Sequence, residues 1–370
     1  MTSDAASPAS APAGVTGGYL NGEWPDADWS TAASPVDLSV LLDAAVDDDG
    51  PLATTHSVVV VHRGRIVAER YHGTLGSFVS EPTPVTSEVP LLSWSMAKTM
   101  LCVVVGMLVD EGRLDLDAPA AVPEWSGPGD PRRAITLRHL LAMRDGLAFA
   151  EDYEDSGASD VIDMLFGSGK DDMAHFAADR PLAAEPGTRY NYSSGTTNII
   201  SRLVGDHLGG PDAMARFLAE RLFGPLAMTT ATPTFDAAGT FVASSYVNAT
   251  ARDFARFGLM LCRGGLAGSQ RLVSESWIDG LRVPISLDPD DGRWYSLQTW
   301  VAGDHLGTFW CNGFEGQRIV AVPPLDLVIV RTGATSSDHA AELDDWCREI
   351  IEAFEAVELS ATATRGESPN

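Results

Sequence analysis

The order of strand and helix patterns most constrains the fold of this 370-residue chain. Residues 57–71 (SVVVVHRGRIVAERY) hold two β-rich runs around a tight turn, which predicts a hairpin near the amino terminus. The carboxy-terminal part returns to strand patterns, in LQTWVAG, GTFWCNG, QRIVAV and DLVIVRT. Amphipathic helix patterns are expected at Ser95–Glu111, after Thr136, from Pro211, after Thr250 and at Asp338–Ala356. Such an order predicts an α/β fold: an antiparallel sheet flanked by helices, with an inserted all-α domain.

These patterns also divide the chain. We expect a discontinuous α/β sheet domain of residues 18–112 and 232–358, and a helical domain of residues 113–231. The edge of the sheet beside the insertion would form a cleft. Residues 1–17 and 359–370 are small and polar, which predicts two disordered tails.

The charge balance excludes several classes of partner. Asp and Glu total 51 against 25 for Lys and Arg, and a net charge of -26 repels phosphate backbones and anionic lipid. Nucleic acid and membrane are therefore not expected partners. The four cysteines form no CxxC pair, so neither a zinc site nor a dense disulfide framework is predicted, and no metal or cofactor is expected. The amino terminus lacks the basic start and apolar core of a secretory signal, which favours a cytoplasmic location. The oligomeric state stays open.

One of only two lysines lies in an apolar run, LLSWSMAKTM at residues 91–100. At a helix start, a side chain three positions after Ser95 lies on the same face one turn on, so Lys98 can contact the Ser95 hydroxyl. An adjacent amine lowers the barrier to removing the hydroxyl proton and makes serine a nucleophile. The spacing alone fits equally a helix lysine that extends its amine to solvent, and that alternative stays open at this point.

Two further motifs accompany this pair. The stretch GTRYNYSSGTTNII, residues 187–200, places Tyr192 just before a helix-like run, and FWCNGFEGQRI places Asn312 and Gly313 between two strands. Together the three motifs resemble the serine β-lactamase and penicillin-recognising superfamily, in particular the class C β-lactamases, family VIII esterases and 6-aminohexanoate-dimer hydrolases. The resemblance covers residues 50–355 and implies the same two-part fold.

The resemblance also implies roles for individual residues. Ser95 would be the acylated nucleophile, with Lys98 and Tyr192 as the proton path and the backbone amides of Ser95 and Phe314 as the oxyanion hole. The loop LAFAEDYEDSG, residues 147–157, is similar to a hydrolase loop whose tyrosine covers the substrate. The residues expected to bind substrate are Tyr153, Ser194, Asn312, Gly313 and Trp310.

Two departures from the family pattern bear on the substrate. Ser194 stands where asparagine is frequent, and Cys311 stands where β-lactamases and peptidoglycan enzymes place a lysine for the substrate carboxylate. Both favour a small ester or amide as the substrate over a β-lactam or a D-alanyl-D-alanine peptide. The alternatives are those two activities, or a non-catalytic member of the same fold that only binds a ligand. Asp152, Asp155 and Asp160 would suit an amine-bearing substrate, or would simply form a solvated loop.

Overall fold

The scaffold is one eight-stranded antiparallel sheet built from both ends of the chain. It is seen in a computed structural model that describes residues 13–52, 54–77, 80–153 and 159–366. The strands are β1 Thr54–His62, β2 Arg65–Tyr71, β3 Thr74–Ser77, β4 Ser80–Pro84, β5 Leu91–Leu92, β6 Thr232–Pro233, β7 Val247–Ala249, β8 Leu266–Ala267, β9 Gln270–Arg271, β10 Ser286–Leu287, β11 Trp294–Tyr295, β12 Trp300–Val301, β13 Phe309–Gly313, β14 Gln317–Val322 and β15 Leu327–Ala334. The sheet order is β10-β11-β12-β13-β14-β15-β1-β2, so the predicted hairpin joins the carboxy-terminal strands, and the fold-class prediction is confirmed.

Helices cover both faces of the sheet. They are α1 Ser39–Ala45, α2 Met96–Asp110, α3 Leu137–Leu141, α4 Asp160–Phe166, α5 Met173–Ala178, α6 Ser194–Leu208, α7 Pro211–Phe217, α8 Ala251–Cys262, α9 Glu275–Leu281 and α10 Ala340–Gly366. A π-helical turn, Leu218–Phe223, continues α7. Short 3₁₀ turns lie at Pro123–Trp125, Pro131–Ala134, Phe314–Gly316, Pro323–Leu325 and Ser337–His339. The elements described between residues 113 and 231 are all helices or short helical turns.

The valine run in β1 explains why the sheet is covered on both faces. Val59 and Val61 pack into the core under α2 and α8, while Val58 and Val60 pack against α1 and α10. Successive strand side chains point to opposite faces, so a continuous apolar run requires a helix layer on each side. The predicted nucleophile, Ser95, therefore lies on the face of the sheet that α2 and α8 cover.

Both predicted tails differ from the structure where it describes them. Helix α10 continues to Gly366 instead of ending near Ala356, because no helix-breaking residue interrupts the small residues after 359. At the other end, the Gly17 amide donates to Asp279 Oδ1 at 2.9 Å, and its carbonyl accepts from Arg282 Nη1 at 2.7 Å. The structure thus describes Gly17 and residues 359–366 differently from the expected tails, and the division of the chain into tails and domains stays a prediction. Residues 1–12 and 367–370 lie outside the described residues.

The described residues contain no group of three or more metal-ligating side chains. The four cysteines are free and buried. In the part of the chain that the structure describes, no helix combines the length and the apolar character needed to cross a bilayer.

Candidate active site

Ser95 lies at a sharp junction between β5 and α2. The Ser93 amide donates to the Val247 carbonyl at 2.8 Å, which ties the junction to β7. Trp94 then takes a φ of 44°, a left-handed conformation that is costly for a bulky residue and is typical of functional sites. Ser95 is the N-cap residue of α2, yet its side chain makes no capping hydrogen bond. Its hydroxyl is therefore available for chemistry.

The predicted contact between Ser95 and Lys98 is present. Lys98 is 1% exposed, and its Nζ donates to Ser95 Oγ at 2.8 Å, to Ser194 Oγ at 3.0 Å and to the Ser244 carbonyl at 2.9 Å. All three partners are neutral. Burial disfavours the charged form and lowers the pKa of Lys98 to about 8, against the opposing charge of Glu151. The unprotonated amine is thus accessible near neutral pH, and Lys98 does not extend to solvent.

The Ser244 carbonyl is held in place by α6. Asn198 Nδ2 donates to Ser244 Oγ at 3.2 Å, and the Ser244 amide donates to Asn198 Oδ1 at 3.3 Å. Both residues are buried. Neither was identified from the sequence, because the loop holding Ser244 carries no motif.

Tyr192 lies beside this pair. The Lys98 amine is 5.0 Å from the centroid of the Tyr192 ring, and the ring packs at 5.8 Å against both Tyr295 and Trp300. Burial raises the pKa of Tyr192 and the Glu151 charge adds to this, while a hydrogen bond to Ser95 opposes both. The phenol therefore stays protonated, which favours Lys98 as the base and Tyr192 as a proton donor.

The end of β13 lies against the junction that holds Ser95. A Cβ atom built on Gly313 would be 2.6 Å from the Ser93 carbonyl oxygen, so only glycine permits this approach. The rings of Phe314 and Trp94 are 5.3 Å apart. This places the Phe314 amide on the chain segment next to Ser95, as an oxyanion hole would require, and that role stays a prediction.

A cavity of about 670 Å³ lies at the end of β13, and neither Ser95 nor Lys98 is among the residues that line it. It is lined by Tyr153, Asn312, Gly313 and Phe314 among others, and the rings of Tyr153 and Phe314 stack at 4.5 Å. The Oδ1 atom of Asn312 is buried, and within the described residues it has no hydrogen-bond partner. Three of the predicted substrate-binding residues thus share one cleft.

Trp310 does not line this cavity, and its role in substrate binding stays a prediction. It lines a separate cavity of about 450 Å³ between the sheet and α10, with Val320 and Ile351. Trp310 precedes Asn312 by two residues in β13, so it lies farther from the strand end that borders the cleft. Cys311, on the opposite face of the strand, is 1% exposed in the core.

The described aspartates of the acidic loop lie in two different places. Asp160 begins α4 and pairs with Arg180 at 3.1 Å, while Asp152 lines the 670 Å³ cavity. Asp155 lies outside the described residues. The sequence reasoning missed Glu151, which accepts a hydrogen bond from the Ser194 amide at 2.7 Å and from the Tyr153 hydroxyl at 2.9 Å. Its position two residues before Tyr153 was the available signal.

Comparisons with known proteins agree with this geometry. The Beta-lactamase family model matches residues 52–349. A 6-aminohexanoate-dimer hydrolase of Paenarthrobacter ureafaciens is 30% identical over 261 residues, which are 65% of each chain. A D-aminopeptidase of Cereibacter sphaeroides is 28% identical over 317 residues, 76% of this chain and 57% of the relative. This chain therefore matches less than two thirds of the length of either relative.

Two solved structures share the fold. A candidate 6-aminohexanoate-dimer hydrolase from Bacillus anthracis superposes with a TM-score of 0.75 at 21% identity, covering 93% of this chain and 92% of the other. A family VIII carboxylesterase gives a TM-score of 0.65 at 18% identity, covering 86% and 99%. The family match spans most of the chain and includes the Ser95, Tyr192 and Gly313 motifs. The protein belongs to the beta-lactamase family, and the two relatives reported above are hydrolases.

Proposed function

We propose that the protein is a serine hydrolase that cleaves a small ester or amide through an acyl-enzyme on Ser95. The observation that carries the proposal is the 2.8 Å hydrogen bond from Lys98 Nζ to Ser95 Oγ. Burial of Lys98 makes its neutral form accessible, and a neutral amine at this distance can accept the hydroxyl proton.

In acylation, Lys98 takes the proton from Ser95 Oγ, and the oxygen attacks the substrate carbonyl carbon. The amides of Ser95 and Phe314 hold the negative oxygen of the tetrahedral intermediate. The Tyr192 phenol gives its proton to the leaving alkoxide or amine as the bond breaks. The Lys98 ammonium, 5.0 Å from the Tyr192 ring, then returns a proton to the phenolate and becomes neutral again.

In deacylation, the same groups act on water. Lys98 accepts a proton from the water through Tyr192, and the resulting hydroxide attacks the acyl carbon. The Ser95 oxygen then leaves and recovers its proton from Lys98. Each group ends in its starting state, so the cycle releases one acid and consumes one water.

The charges near the cleft favour substrates without a carboxylate. Cys311 is buried and supplies no cation. Arg331 is fully buried, and the two arginines that line the cleft, Arg293 and Arg318, both pair with Asp344, at 2.5 Å and 3.1 Å. Both arginines in the cleft are already paired, so the carboxylate of a β-lactam finds no free cation there among the described residues. Its binding therefore lacks a charge-assisted hydrogen bond worth about 1.5 to 3 kcal/mol.

Amide substrates that carry an amine are a natural extension of this proposal. The two curated relatives are named as a 6-aminohexanoate-dimer hydrolase and a D-aminopeptidase. Asp152 lines the cleft, and Asn312 Oδ1, which has no hydrogen-bond partner within the described residues, can accept from an N–H group of the substrate. Esters should still react faster, because an alkoxide leaves without the prior protonation that an amide nitrogen requires.

A fluorophosphonate probe followed by peptide mapping tests the nucleophile. We expect the probe to label Ser95, and Ser95→Ala to lose both labelling and turnover. Lys98→Ala should lower kcat by about a hundredfold or more, whereas Lys170→Ala, the change of the exposed second lysine, should not. Labelling that persists in Ser95→Ala would contradict the proposal and would favour a ligand-binding role for the fold.

Substrate class is tested on one preparation with p-nitrophenyl butyrate, the 6-aminohexanoate dimer and nitrocefin. We expect kcat/KM to be highest for the ester, lower for the linear amide and lowest for nitrocefin. A higher kcat/KM for nitrocefin than for both others would show that a cation reaches the β-lactam carboxylate after all, and would support β-lactamase or D-alanyl-D-alanine peptidase activity.

A further inference from the structure

The hydroxyl of Ser194 connects Lys98 to a carboxylate. Ser194 is fully buried at the start of α6, and its Oγ accepts a hydrogen bond from Lys98 Nζ at 3.0 Å. A hydroxyl has one proton to donate, and this proton goes to Glu151 Oε1 at 2.5 Å. Glu151 therefore sets the orientation of the Ser194 hydroxyl, and this orientation leaves a lone pair of Ser194 Oγ to accept from Lys98.

Glu151 is itself held firmly. Its Oε2 accepts from the Ser194 amide at 2.7 Å, and its Oε1 accepts from the Tyr153 hydroxyl at 2.9 Å as well as from Ser194 Oγ. Three donors converge on one carboxylate, an arrangement suited to an ionised, acceptor-only group. The backbone of α6 and the loop at residues 151–153 are thereby joined at one point beside the amine.

No carboxylate is bonded directly to Lys98 among the described residues; its partners are two hydroxyls and a carbonyl. An ammonium that forms in a buried site is stabilised by a nearby negative charge, and Glu151 supplies one from across a single hydroxyl. We propose that Glu151 is a positioning residue: it fixes Ser194 as an acceptor for Lys98 and provides the counter-charge when Lys98 takes the Ser95 proton. This inference rests on the proposed function.

The other ionisable groups near the amine do not take over this role. Burial raises the pKa of Tyr192 and of Tyr153, and also that of Tyr295 on β11, so these phenols stay neutral in the working range. Asp288, next to β10, acts on Tyr192 and Tyr295, whereas Glu151 is the charge among the described residues that opposes the effect of burial on the pKa of Lys98.

The proposal predicts the direction in which the pKa of Lys98 changes when the Glu151 charge is removed. Removing the negative charge disfavours the ammonium, so in Glu151→Gln the pKa of Lys98 should fall by about one unit, as expected for loss of a charge at short range. The acid limb of kcat/KM should move to lower pH by the same amount. At pH values above the new midpoint, kcat should be about tenfold or more lower than in the wild type. The reason is that the ammonium intermediate is less stable and the Ser194 hydroxyl is no longer held in one orientation.

The chain allows the pKa of Lys98 to be measured without turnover, because Lys98 and Lys170 are its only lysines. In protein labelled with ¹³C at lysine Cε, two NMR signals titrate, and a Lys170→Arg variant assigns them. We expect the Lys98 midpoint to drop in Glu151→Gln and the Lys170 midpoint to stay. Glu349→Gln, which removes the same charge from an exposed position on α10, should shift neither.

Two more variants separate positioning from folding. Glu151→Asp keeps the negative charge, so its Lys98 midpoint should lie close to that of the wild type. Ser194→Ala keeps the charge but removes the hydroxyl between Lys98 and Glu151. It should lower kcat and shift the Lys98 midpoint less than Glu151→Gln does. If Glu151→Gln unfolds the protein, Ser194→Ala still tests the connection from the other end. Wild-type values of kcat in Ser194→Ala, or an unshifted Lys98 midpoint in folded Glu151→Gln, would overturn the inference.

The proposed function can fail separately. The Lys98 midpoint is also measured in Ser95→Ala, where no acyl-enzyme forms, so it reports on Glu151 whether or not the protein is a serine hydrolase. Turnover that is independent of Ser95 would refute the proposed function. Turnover that depends on Ser95, with identical Lys98 midpoints and pH profiles in wild type and Glu151→Gln, would refute only the role of Glu151.

Discussion

The value of kcat/KM for an ester substrate should rise with pH, with a midpoint near 8, because only the neutral amine of Lys98 can accept the Ser95 proton. Burial lowers the pKa of Lys98 from 10.5 to about 8. Activity is therefore present above this pKa and lost as the pH falls through it. Tyr192 does not impose a second limb below pH 10, since its own pKa is raised and the phenol stays protonated.

The magnitude follows from the titration of one group. With a pKa of about 8, roughly 9% of the lysine is neutral at pH 7 and roughly 91% at pH 9, a tenfold rise. With the ordinary pKa of 10.5, only about 0.03% would be neutral at pH 7, and the rate would still rise tenfold per unit at pH 9. Burial thus provides about 300 times more of the reactive form at neutral pH.

The assay is kcat/KM for p-nitrophenyl acetate between pH 5.5 and 9.5, corrected for spontaneous hydrolysis. For an ester this constant reports the free enzyme up to acylation, so the Lys98 titration in the unliganded protein is the one observed. The expected profile has unit slope below pH 7 and a plateau above pH 9. A flat profile, or a unit slope that continues to pH 9.5, would refute the assignment of a desolvated Lys98 as the base.

Three further results are expected. Tyr192→Phe should lower kcat by about a hundredfold, whereas Tyr190→Phe should keep most activity because its hydroxyl lies outside the network around the nucleophile; steady-state kinetics in which the two variants exchange behaviour would contradict the assignment. Gly313→Ala should lower kcat by about a hundredfold, the typical effect of losing one oxyanion donor, because its Cβ would meet the Ser93 carbonyl at 2.6 Å; wild-type kcat would argue against an oxyanion role for this segment. Burial raises the pKa of Asp145 from 3.8 to about 6, so the folded state binds this proton more tightly and its contribution to the free energy of unfolding should fall by about 2 kcal/mol as the pH rises from 4 to 7. Denaturant titrations at both pH values should show a correspondingly smaller fall for Asp145→Asn, and equal falls would count against the shift.

Local patterns in the sequence were enough to predict several features. Alternating and continuous apolar runs predicted the hairpin β1–β2 and the carboxy-terminal strands, because side-chain periodicity depends only on neighbours in the chain. The contact of Ser95 with Lys98 was predictable for the same reason, since residues three apart on a helix face each other. The extent of α10 was not, because small polar residues suit a helix end or a tail equally well.

Other parts of the site depend on contacts between distant segments. Lys98 meets Ser194 across 96 positions and the Ser244 carbonyl across 146, and no local period encodes such pairs. The sequence marked Tyr153 by resemblance but not Glu151, whose role appears only when its loop folds against α6. Trp310 was predicted to bind substrate from its neighbours in sequence, and the structure shows that it lines the cavity between the sheet and α10. Local sequence patterns were therefore sufficient for the sheet, for the order of its two halves and for the contact between Ser95 and Lys98. The tertiary structure alone decided which neutral and charged groups surround that amine, because burial and long-range contacts set its pKa.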